Sequence, residues 1–370
     1  MKPILVIADD LTGAAEVGGI AVRYGLSAQI AHTLKQKADV DIEILNTNTR
    51  SMNRDHALSH VGSLFTDIDR DRWSWTFLKF DSALRGHIQQ EIPFFRALFG
   101  MQGVLFCPAN PALGRVIQQG MYLVDGIPIA DTGFANDPEF PISESAILSL
   151  LGAEDWRLLD RMDALRKEYT YVVPAIADND GLNHWASISP VGHLCAGSAV
   201  FFEALLRNRM EERRPATTTG LAERLDHALF ICGSNHVSSV NRLNKLNTDD
   251  VVYWRKSGEE RIVANALREM LMKKGGGVFA IDPTVSADPV AIRHSMAKVI
   301  AILNEKCTLR KLIIEGGATA SAVLEALQID ALRPIKERAP GVITCEIPTS
   351  GLHVTLKPGS YPWTKDLWAF

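Results

Sequence analysis

Two adjacent carboxylates follow an apolar run close to the beginning of the chain. The run Ile4–Ala8 leads directly into Asp9 and Asp10, after which Leu11-Thr12-Gly13-Ala14 begins a helix-like sequence. This pattern predicts a buried parallel strand, a sharp turn and a helix. Because ligands of open α/β sheets bind at the carboxyl ends of the strands, carboxylates at this turn indicate ligand-binding chemistry.

Other predicted strands of the first half also end in polar groups. Thr76–Phe80 runs into Lys79-Phe80-Asp81-Ser82-Ala83-Leu84-Arg85-Gly86, Ile42–Thr47 into Asn48-Thr49-Arg50-Ser51, and Gly103–Cys107 into Pro108-Ala109-Asn110-Pro111, with Arg115 a little further on. Parallel strands bring such exits to one edge of the sheet. We therefore expect one crevice, formed by Asp9, Asp10, Arg50, Lys79, Asp81 and Ser82, with Arg115 as a further candidate.

The chemistry of this crevice suits a small polyhydroxy acid. Arginine forks bind carboxylate or phosphate, and carboxylates accept hydrogen bonds from sugar hydroxyls. Each charged residue taken alone is equally explained as a surface ion-pair partner at a turn. The coincidence of three polar exits favours a binding site.

Glycine-rich strand exits distinguish the second half of the chain. Ala228–Cys232 is followed by Gly233 and Ser234, and Leu312–Ile314 by Glu315-Gly316-Gly317-Ala318-Thr319 before a helix-like sequence. Glycines let backbone N–H groups approach a phosphate, which the N-terminus of a helix also favours. The spacing is neither a P-loop nor G-x-G-x-x-G. Together with Lys357-Pro358-Gly359-Ser360, these exits predict a site for nucleotide phosphates.

The order of apolar runs and helix-length segments predicts an α/β fold with two domains, each a largely parallel sheet flanked by helices. Further predicted strands are Tyr171–Pro174, Val278–Ile281 and Val342–Glu346, and predicted helices are Arg54–Phe65, Ile88–Leu98, Ser143–Leu150, Gly258–Lys274 and Asp288–Asn304. Tyr122–Ile129, with Asp125-Gly126 at its centre, predicts a hairpin over part of the crevice. A polar segment, Arg209–Gly220, indicates a linker, which gives domains 1–214 and 215–370.

Composition excludes several classes of protein. The net charge of the 370 residues is −4 and no basic block occurs, so we expect no nucleic-acid partner. No apolar stretch approaches the roughly 20 residues that span a bilayer, and no signal peptide is evident, so we expect no membrane partner. Five scattered cysteines without C-x-x-C spacing indicate the reducing cytoplasm. His56 and His60 lack a third ligand, so an exposed helix face is expected there rather than a metal site.

The motifs resemble those of the four-carbon acid sugar kinases, which phosphorylate the 4-hydroxyl of acids such as threonate, erythronate and 3-oxo-tetronate. The resemblance is carried by Ala8–Ala14, Lys79–Gly86, Thr49-Arg50-Ser51, Pro108–Arg115, Asp125-Gly126 and Gly316–Ala320. It implies a first domain that binds the sugar acid through Asp9, Asp10, Arg50, Lys79, Asp81, Ser82 and Arg85. It also implies a second domain that binds ATP through Ser234, Gly316, Gly317, Ala318, Thr319 and Gly359.

For the reaction we expect transfer of a phosphoryl group from ATP, with Mg²⁺ bridging the phosphates and few direct protein ligands; no metal-ligating residue is predicted. The substrate carboxylate is expected to pair with Arg50, Lys79 or Arg85. Of the three aspartates, Asp81 is favoured as the catalytic base. Which of Asp9 and Asp10 points inward is open.

The sequence also departs from the family pattern. Ala83 replaces a threonine, Ala318 replaces an acidic residue, and the terminal Lys-x-Gly-Gly-Phe-Gly reads Lys357-Pro358-Gly359-Ser360-Tyr361-Pro362. These changes lie mostly on the nucleotide side and predict a divergent subgroup. Two alternatives stay open, a non-catalytic sugar-acid-binding regulator and a Mg-dependent phosphatase, although phosphatase chemistry favours Asp-x-Asp over adjacent aspartates. The sequence leaves open the acid, its stereochemistry and the oligomeric state, for which a homodimer is one candidate.

Overall fold

The computed structural model describes residues 2–34, 38–137, 139–152, 155–163, 165–166, 168–210, 228–234, 237–359 and 361. The strands are, in chain order, β1 (Ile4–Ala8), β2 (Ala28–Ala31), β3 (Ile42–Asn46), β4 (Thr76–Lys79), β5 (Gly103–Cys107), β6 (Arg115–Gln118), β7 (Met121–Val124), β8 (Ile127–Pro128), β9 (Trp156–Leu159), β10 (Tyr171–Pro174), β11 (His193–Gly197), β12 (Ala228–Cys232), β13 (Val251–Trp254), β14 (Gly277–Ile281), β15 (Lys311–Glu315), β16 (Ala331–Ala339), β17 (Val342–Glu346) and β18 (His353–Lys357). The α-helices are α1 (Leu11–Arg23), α2 (Arg54–Leu64), α3 (Ile88–Leu98), α4 (Ile147–Leu151), α5 (Asn179–Ser187), α6 (Ala199–Arg209), α7 (Val237–Leu243), α8 (Glu260–Lys274), α9 (Pro289–Lys306) and α10 (Gly317–Ala326).

The chain divides into two compact units. Residues 1–17 and 33–215 form the first, and residues 18–32 and 216–370 form the second. The predicted domain boundary and residues 211–220 of the predicted linker lie outside the described residues, whereas Arg209, its first residue, is the last residue of α6. Residues 18–32, which the sequence placed with the first domain, lie in the second unit.

Packing within the second unit explains where residues 18–32 lie. A side chain at Gly18 or Gly19 would collide with Pro334 or Ile343, at 2.5 and 2.2 Å from the added Cβ atoms. Strand β2 pairs antiparallel with β16, and Arg23 forms a 2.7 Å ion pair with Glu337. Small residues and a strand pairing that is distant in sequence therefore decide the placement of this segment.

In the part of the first unit that the structure describes, seven parallel strands form a sheet in the order β3-β1-β4-β11-β5-β10-β9. Strand β1 lies between β3 and β4, and Ala8 is in register with both Asn46 and Lys79. The three strands therefore end at the same level. The carboxyl ends at which the sequence analysis expected a crevice are neighbours.

A small antiparallel sheet of β6, β7 and β8 accompanies the parallel one. The turn between β7 and β8 has positive φ at both Asp125 (50°) and Gly126 (80°), as a two-residue hairpin of the favoured type requires. The predicted hairpin is thus confirmed.

The described residues of the second unit form eight strands in the order β13-β14-β12-β15-β18-β17-β16-β2. The first five are parallel, and β17, β16 and β2 add antiparallel pairs. Cys232 is in register with Glu315, and Glu315 with Lys357. The predicted α/β class with two largely parallel sheets is confirmed, and the glycine-rich exits of β12, β15 and β18 are also neighbours.

The predicted helix Ser143–Leu150 is wrong at its start, because α4 begins only at Ile147. The residues before it are held in extended form by the hairpin: Tyr122 donates its backbone N–H to the Ser145 carbonyl at 2.7 Å, and Met121 forms a bridge with Ala146. The five cysteines are all free thiols.

Candidate functional site

Arg50 joins the exits of β1 and β3. Its guanidinium donates to both oxygens of Asp9, from Nε at 3.0 Å and from Nη2 at 2.7 Å, and Nη2 also reaches Asp10 at 2.8 Å. Its Nη1 lies 2.7 Å from the second Asp10 oxygen. One arginine therefore binds both adjacent carboxylates in paired geometry, the strong form of such a contact.

The local sequence explains why these carboxylates lie so close to the backbone. Asp10 accepts from the backbone N–H of Gly13 at 2.8 Å and from the Thr12 hydroxyl, in the first turn of α1. A Cβ at Gly86, whose φ is +102°, would lie 2.8 Å from an Asp9 oxygen. Gly86 thus supplies both a left-handed turn and the space that Asp9 occupies.

A second group of charged residues follows β4. Arg85 pairs with Asp81 and, at 3.4 Å, with Asp137. Arg115 donates to the Ser82 hydroxyl at 2.5 Å and lies 4.0 Å from Asp81. The loop after β4 is therefore held by Arg85, which belongs to the loop, and by Arg115, the first residue of β6.

An aromatic ring lies near both arginines of this group. The guanidinium carbons of Arg85 and Arg115 lie 6.0 and 5.2 Å from the centre of the Phe134 ring. The Tyr122 hydroxyl donates to the Ser82 carbonyl. Tyr122, in strand β7 of the hairpin, thus contacts the loop after β4, and Phe134 lies in the turn Gly133–Asn136 further along the chain.

Lys79 is buried beside this edge of the sheet. Its ammonium group donates to the Phe80 carbonyl at 3.0 Å and lies 3.3 Å from Glu16. These contacts bind Lys79 to its own loop and to α1.

The electrostatics of the three aspartates differ. Burial raises the pKa of Asp9, and the Asp10 charge adds to this against the opposing effect of Arg50. Burial also acts to raise the pKa of Asp10, but Arg50 and Lys79 prevail and lower it. Burial is likewise the largest influence on Asp81, yet Arg85, Arg50 and Arg115 together hold its pKa well below the usual range. Asp81 is therefore an ionised hydrogen-bond acceptor.

Two residues near these groups were missed by the sequence analysis, Phe134 and Glu91. Phe134 has no motif to mark it. Glu91 had a signal, because it occupies the buried stripe of α3 together with Ile88, Ile92 and Phe95. A carboxylate in the middle of an apolar helical stripe is a feature that periodicity alone can find.

In the second unit three glycine-containing loops meet. A Cβ at Gly233 would lie 2.0 Å from the Thr319 hydroxyl oxygen, and one at Gly359 would lie 3.1 Å from that of Ser234. Gly316 has φ of +98° and caps α10 without a side-chain hydrogen bond. The residues that the sequence analysis assigned to ATP are thus brought together at the N-terminus of a ten-residue helix.

A buried ion pair supports these loops. Lys357 donates to Glu315 at 2.7 Å and to the Pro358 carbonyl at 2.9 Å, and Ser239 donates to the same Glu315 oxygen at 2.7 Å. The Gly316 backbone N–H donates to the Lys357 carbonyl at 2.9 Å. Lys357 therefore links the carboxyl ends of β15 and β18.

The glycine loops fit the phosphates of a nucleotide. They combine a helix N-terminus with glycines at positions where a side chain would block the approach of a phosphate to the backbone. The exits carry no acidic residue apart from Glu315, whose charge is neutralised by an ion pair. Within the described ranges no group of three or more His, Cys, Asp and Glu residues could hold a metal ion. Among the same residues no helix is long and apolar enough to cross a membrane.

Known structures share this architecture. A crystal structure of a Haemophilus influenzae protein superposes with a TM-score of 0.74 over 98% of both chains at 19% identity. A Bordetella bronchiseptica structure, described as a domain-swapped dimer with bound citrate, gives a TM-score of 0.51 at 22% identity over 98% of this chain and 96% of that one. These likenesses define the class: a two-domain α/β protein of the same fold.

Family models and curated relatives define the family. Residues 4–205 match the model of a sugar-binding N-terminal domain, and residues 239–361 match that of a nucleotide-binding C-terminal domain. The chain belongs to the four-carbon acid sugar kinase family.

Two relatives show how far the similarity extends. The D-threonate kinase of Salmonella typhimurium is 30% identical over 154 residues, which are 41% of this chain and 36% of that protein. The match thus spans little more than a third of that relative. The 3-oxo-tetronate kinase of Actinobacillus succinogenes is 22% identical over 401 aligned positions, 96% of each chain.

Proposed function

We propose that the protein is an ATP-dependent kinase that phosphorylates the terminal 4-hydroxyl of a four-carbon sugar acid. The observation that carries this proposal is the charged loop after β4, where Asp81, Ser82, Arg85 and Arg115 lie together. It offers an anion-binding group beside hydroxyl-binding groups, as a short sugar acid requires. Relatives named as threonate, erythronate and 3-oxo-tetronate kinases support the same substrate class.

The contacts indicate which residues bind the carboxylate of the substrate and which bind its hydroxyls. Arg50 and Lys79 are already bound to Asp9, Asp10, Glu16 and the Phe80 carbonyl. Arg85 is the most exposed of the arginines in the crevice, and its side chain is 29% accessible. Arg85, with Arg115 beside it, is therefore the proposed partner of the substrate carboxylate, and Asp10, Asp81 and Ser82 of its hydroxyls. The buried residues Asp9, Arg50 and Lys79 keep these substrate-binding residues in position.

Asp81 is the proposed catalytic residue. Its carboxylate orients the attacking hydroxyl and takes its proton as the phosphoryl group is transferred. The low pKa of Asp81 is compatible with this role, because the loose transition state of phosphoryl transfer requires positioning more than a strong base. The three neighbouring arginines neutralise charge that would otherwise repel the nucleotide.

The proposed ATP site is the group of loops that contains Ser234, Gly316, Gly317, Ala318, Thr319 and Gly359. Backbone N–H groups at the start of α10 would bind the phosphates, and Mg²⁺ would be carried by the phosphates themselves. The Mg²⁺ ion supplies charge neutralisation at the transferred group when bound.

The test is release of ADP from Mg-ATP with a panel of four-carbon acids. We expect at least one acid to stimulate turnover, and Asp81→Asn and Arg85→Ala to abolish it while the melting temperature falls by no more than a few degrees. Arg157→Gln, on the exposed side of β9, is the matched control. ATP binding without stimulation by any acid would overturn the assignment. Phosphate release from sugar phosphates without ATP would instead show a phosphatase.

We also propose that the protein forms a homodimer. The support is the Bordetella bronchiseptica structure, which is described as a domain-swapped dimer. Light scattering after size exclusion measures the mass directly. A monomer across the working range of concentrations would exclude this assembly.

A further inference from the structure

Asn110 carries a buried amide that the proposed reaction does not use. It lies in the loop after β5, immediately before the short turn Pro111–Leu113, and is 4% exposed. Its oxygen Oδ1 has no hydrogen-bond donor within the described part of the chain. An asparagine in this position ordinarily caps the turn that follows, yet the Asn110 side chain makes no capping hydrogen bond. The local backbone therefore gives no reason for an amide here.

Backbone pairing places Asn110 beside Arg115. The two residues form an antiparallel bridge, in which the backbone N–H of each donates to the carbonyl of the other at 2.8 and 3.0 Å. Residues directly opposite in such a pair carry their side chains on the same face, with Cβ atoms about 4.5–5.5 Å apart. Asn110 therefore shares a face with the side chain of Arg115, whose guanidinium donates to Ser82 and lies 4.0 Å from Asp81.

A second contact joins the loop of Asn110 to the loop after β4. The Tyr122 hydroxyl donates to the Ser82 carbonyl and lies 3.4 Å from the Pro108 carbonyl. The backbone around Asn110 is thus fixed on the side of the crevice. Its amide is not engaged by any described residue, so rotation about the Cβ–Cγ bond breaks no hydrogen bond and can turn the oxygen toward a ligand.

Arg115 contributes a second polar atom without a partner. Its Nε is buried and has no acceptor among the residues that the structure describes. Asn110 Oδ1 needs a donor, and Arg115 Nε needs an acceptor. A hydroxyl group supplies both, whereas a carboxylate only accepts and an ammonium group only donates. The two side chains are therefore complementary to a hydroxyl.

We propose that Asn110, together with Arg115 Nε, binds a secondary hydroxyl of the sugar acid and so determines which stereoisomer is accepted. This role rests on the proposed function, in which Asp81 binds the 4-hydroxyl and Arg85 the carboxylate. The hydroxyls at C2 and C3 are then left, and their configuration distinguishes threonate from erythronate. A hydroxyl of the wrong configuration leaves the buried amide unpaired, and an unpaired polar group is strongly selected against.

Asn110→Leu tests this role, because leucine has nearly the shape of asparagine and no polar side-chain atom. Calorimetry on the full-length protein compares D-threonate and D-erythronate with 3,4-dihydroxybutanoate and 2,4-dihydroxybutanoate, which lack the C2 and the C3 hydroxyl. We expect the wild type to bind one of the two deoxy acids at least tenfold more weakly than the preferred parent acid. In Asn110→Leu this ratio should fall to within about threefold, with KM for ATP unchanged. An unchanged ratio would overturn the proposal.

Stability distinguishes substrate binding from a structural role of the amide. Because a buried amide without a partner destabilises the fold, Asn110→Leu should melt at the wild-type temperature or above it. Asn53 is the matched control, since its side chain caps α2 by accepting from the His56 N–H at 2.9 Å. Asn53→Leu should lower the melting temperature and leave binding of the acid unchanged. A melting temperature of Asn110→Leu that falls as in Asn53→Leu would overturn the assignment.

A third measurement needs no turnover. In NMR spectra of protein labelled at the asparagine amides, the Asn110 signals are identified by their absence in Asn110→Leu. They should shift when the preferred acid is added and stay in place when ATP alone is added. Signals that do not move while calorimetry shows the acid bound would mean that the amide faces water or protein only, and would overturn the subsite. Acid binding that shifts these signals without any release of ADP would overturn the kinase assignment and support the subsite.

Discussion

Arg50 and Asp9 form a two-pronged ion pair in which Nε and Nη2 lie 3.0 and 2.7 Å from the two carboxylate oxygens. The Asp9 side chain is 1% accessible and that of Arg50 is 13%. Because a buried carboxylate is costly without a partner, this pair fixes the β3 exit against the β1 exit. The same guanidinium serves Asp10, so one side chain sets the geometry of both carboxylates.

Loss of Arg50 should therefore be costly. Arg50→Met leaves two buried carboxylates without their ion-pair partner and is expected to lower the free energy of unfolding by about 3–5 kcal/mol. Arg50→Lys keeps the charge but cannot bind two carboxylates in paired geometry, so it should lose less stability. Urea denaturation measures both. Asp10→Asn is the control, since it leaves the Asp9 pair intact. An Arg50→Met protein within about 1 kcal/mol of the wild type would contradict the role of this pair.

Arg115 should decide affinity for the acid rather than for the nucleotide. Arg115→Gln is expected to raise KM for the sugar acid at least tenfold, because it removes a cation beside Ser82 and Asp81. Phe134→Leu should have a smaller effect in the same direction, since the ring packs against both guanidinium groups. KM for ATP should stay unchanged. If a neutral polyol of equal length is affected as strongly as the acid, the carboxylate role is wrong.

Gly233→Ala tests the glycine loops of the second unit. The added methyl would lie 2.0 Å from the Thr319 hydroxyl oxygen, so either that side chain or the loop must move. We expect ATP affinity, measured by calorimetry, to fall at least tenfold, with little change in affinity for the acid. Gly62→Ala is the matched control, because nothing lies within 4 Å of its added Cβ. Unchanged ATP affinity in Gly233→Ala would place the nucleotide elsewhere.

The Lys357–Glu315 pair provides a test of how the loops are supported. Lys357→Met leaves the buried Glu315 carboxylate without its cation and should cost about 3–5 kcal/mol of unfolding free energy. The double variant Lys357→Met with Glu315→Leu should recover part of that loss, because both charges are then absent. A double-mutant cycle measures the coupling. Additive losses would show that the 2.7 Å contact contributes nothing specific.

Glu91 should make stability depend on pH in a defined direction. Its folded pKa of about 8 exceeds the ordinary value of 4.5, so the unfolded chain releases this proton first as the pH rises. Stability therefore falls between pH 4.5 and 8, by up to about 5 kcal/mol for a shift of this size. Glu91→Gln lacks this loss, so its stability relative to the wild type should increase from pH 5 to pH 8.

Urea denaturation at the two pH values measures that difference. Glu144→Gln, at an exposed position of the same unit, should show no such trend. An equal difference at both pH values would contradict a neutral Glu91.

The sequence by itself determined most of the strands whose exits form the two candidate sites, whereas β18 (His353–Lys357) was not predicted. A strand buried on both faces needs a continuous apolar run, and polar or glycine residues directly after it mark a functional edge. Strands β1, β5, β10, β12 and β17 begin and end where the apolar runs predicted. The roles of the site residues stay predictions.

Only the tertiary structure decided which exits meet and how their charges pair. The order β3-β1-β4 brings Arg50 to Asp9 and Asp10, and no local pattern encodes that order. Residues 18–32 join the second unit through glycines that accommodate Pro334 and Ile343, more than 300 residues away in sequence. The raised pKa of Glu91 depends on its burial and on the Asp9 charge, which belongs to another part of the chain. Burial and long-range pairing set these features, because the energy of a charge depends on its three-dimensional surroundings and not on its neighbours in sequence.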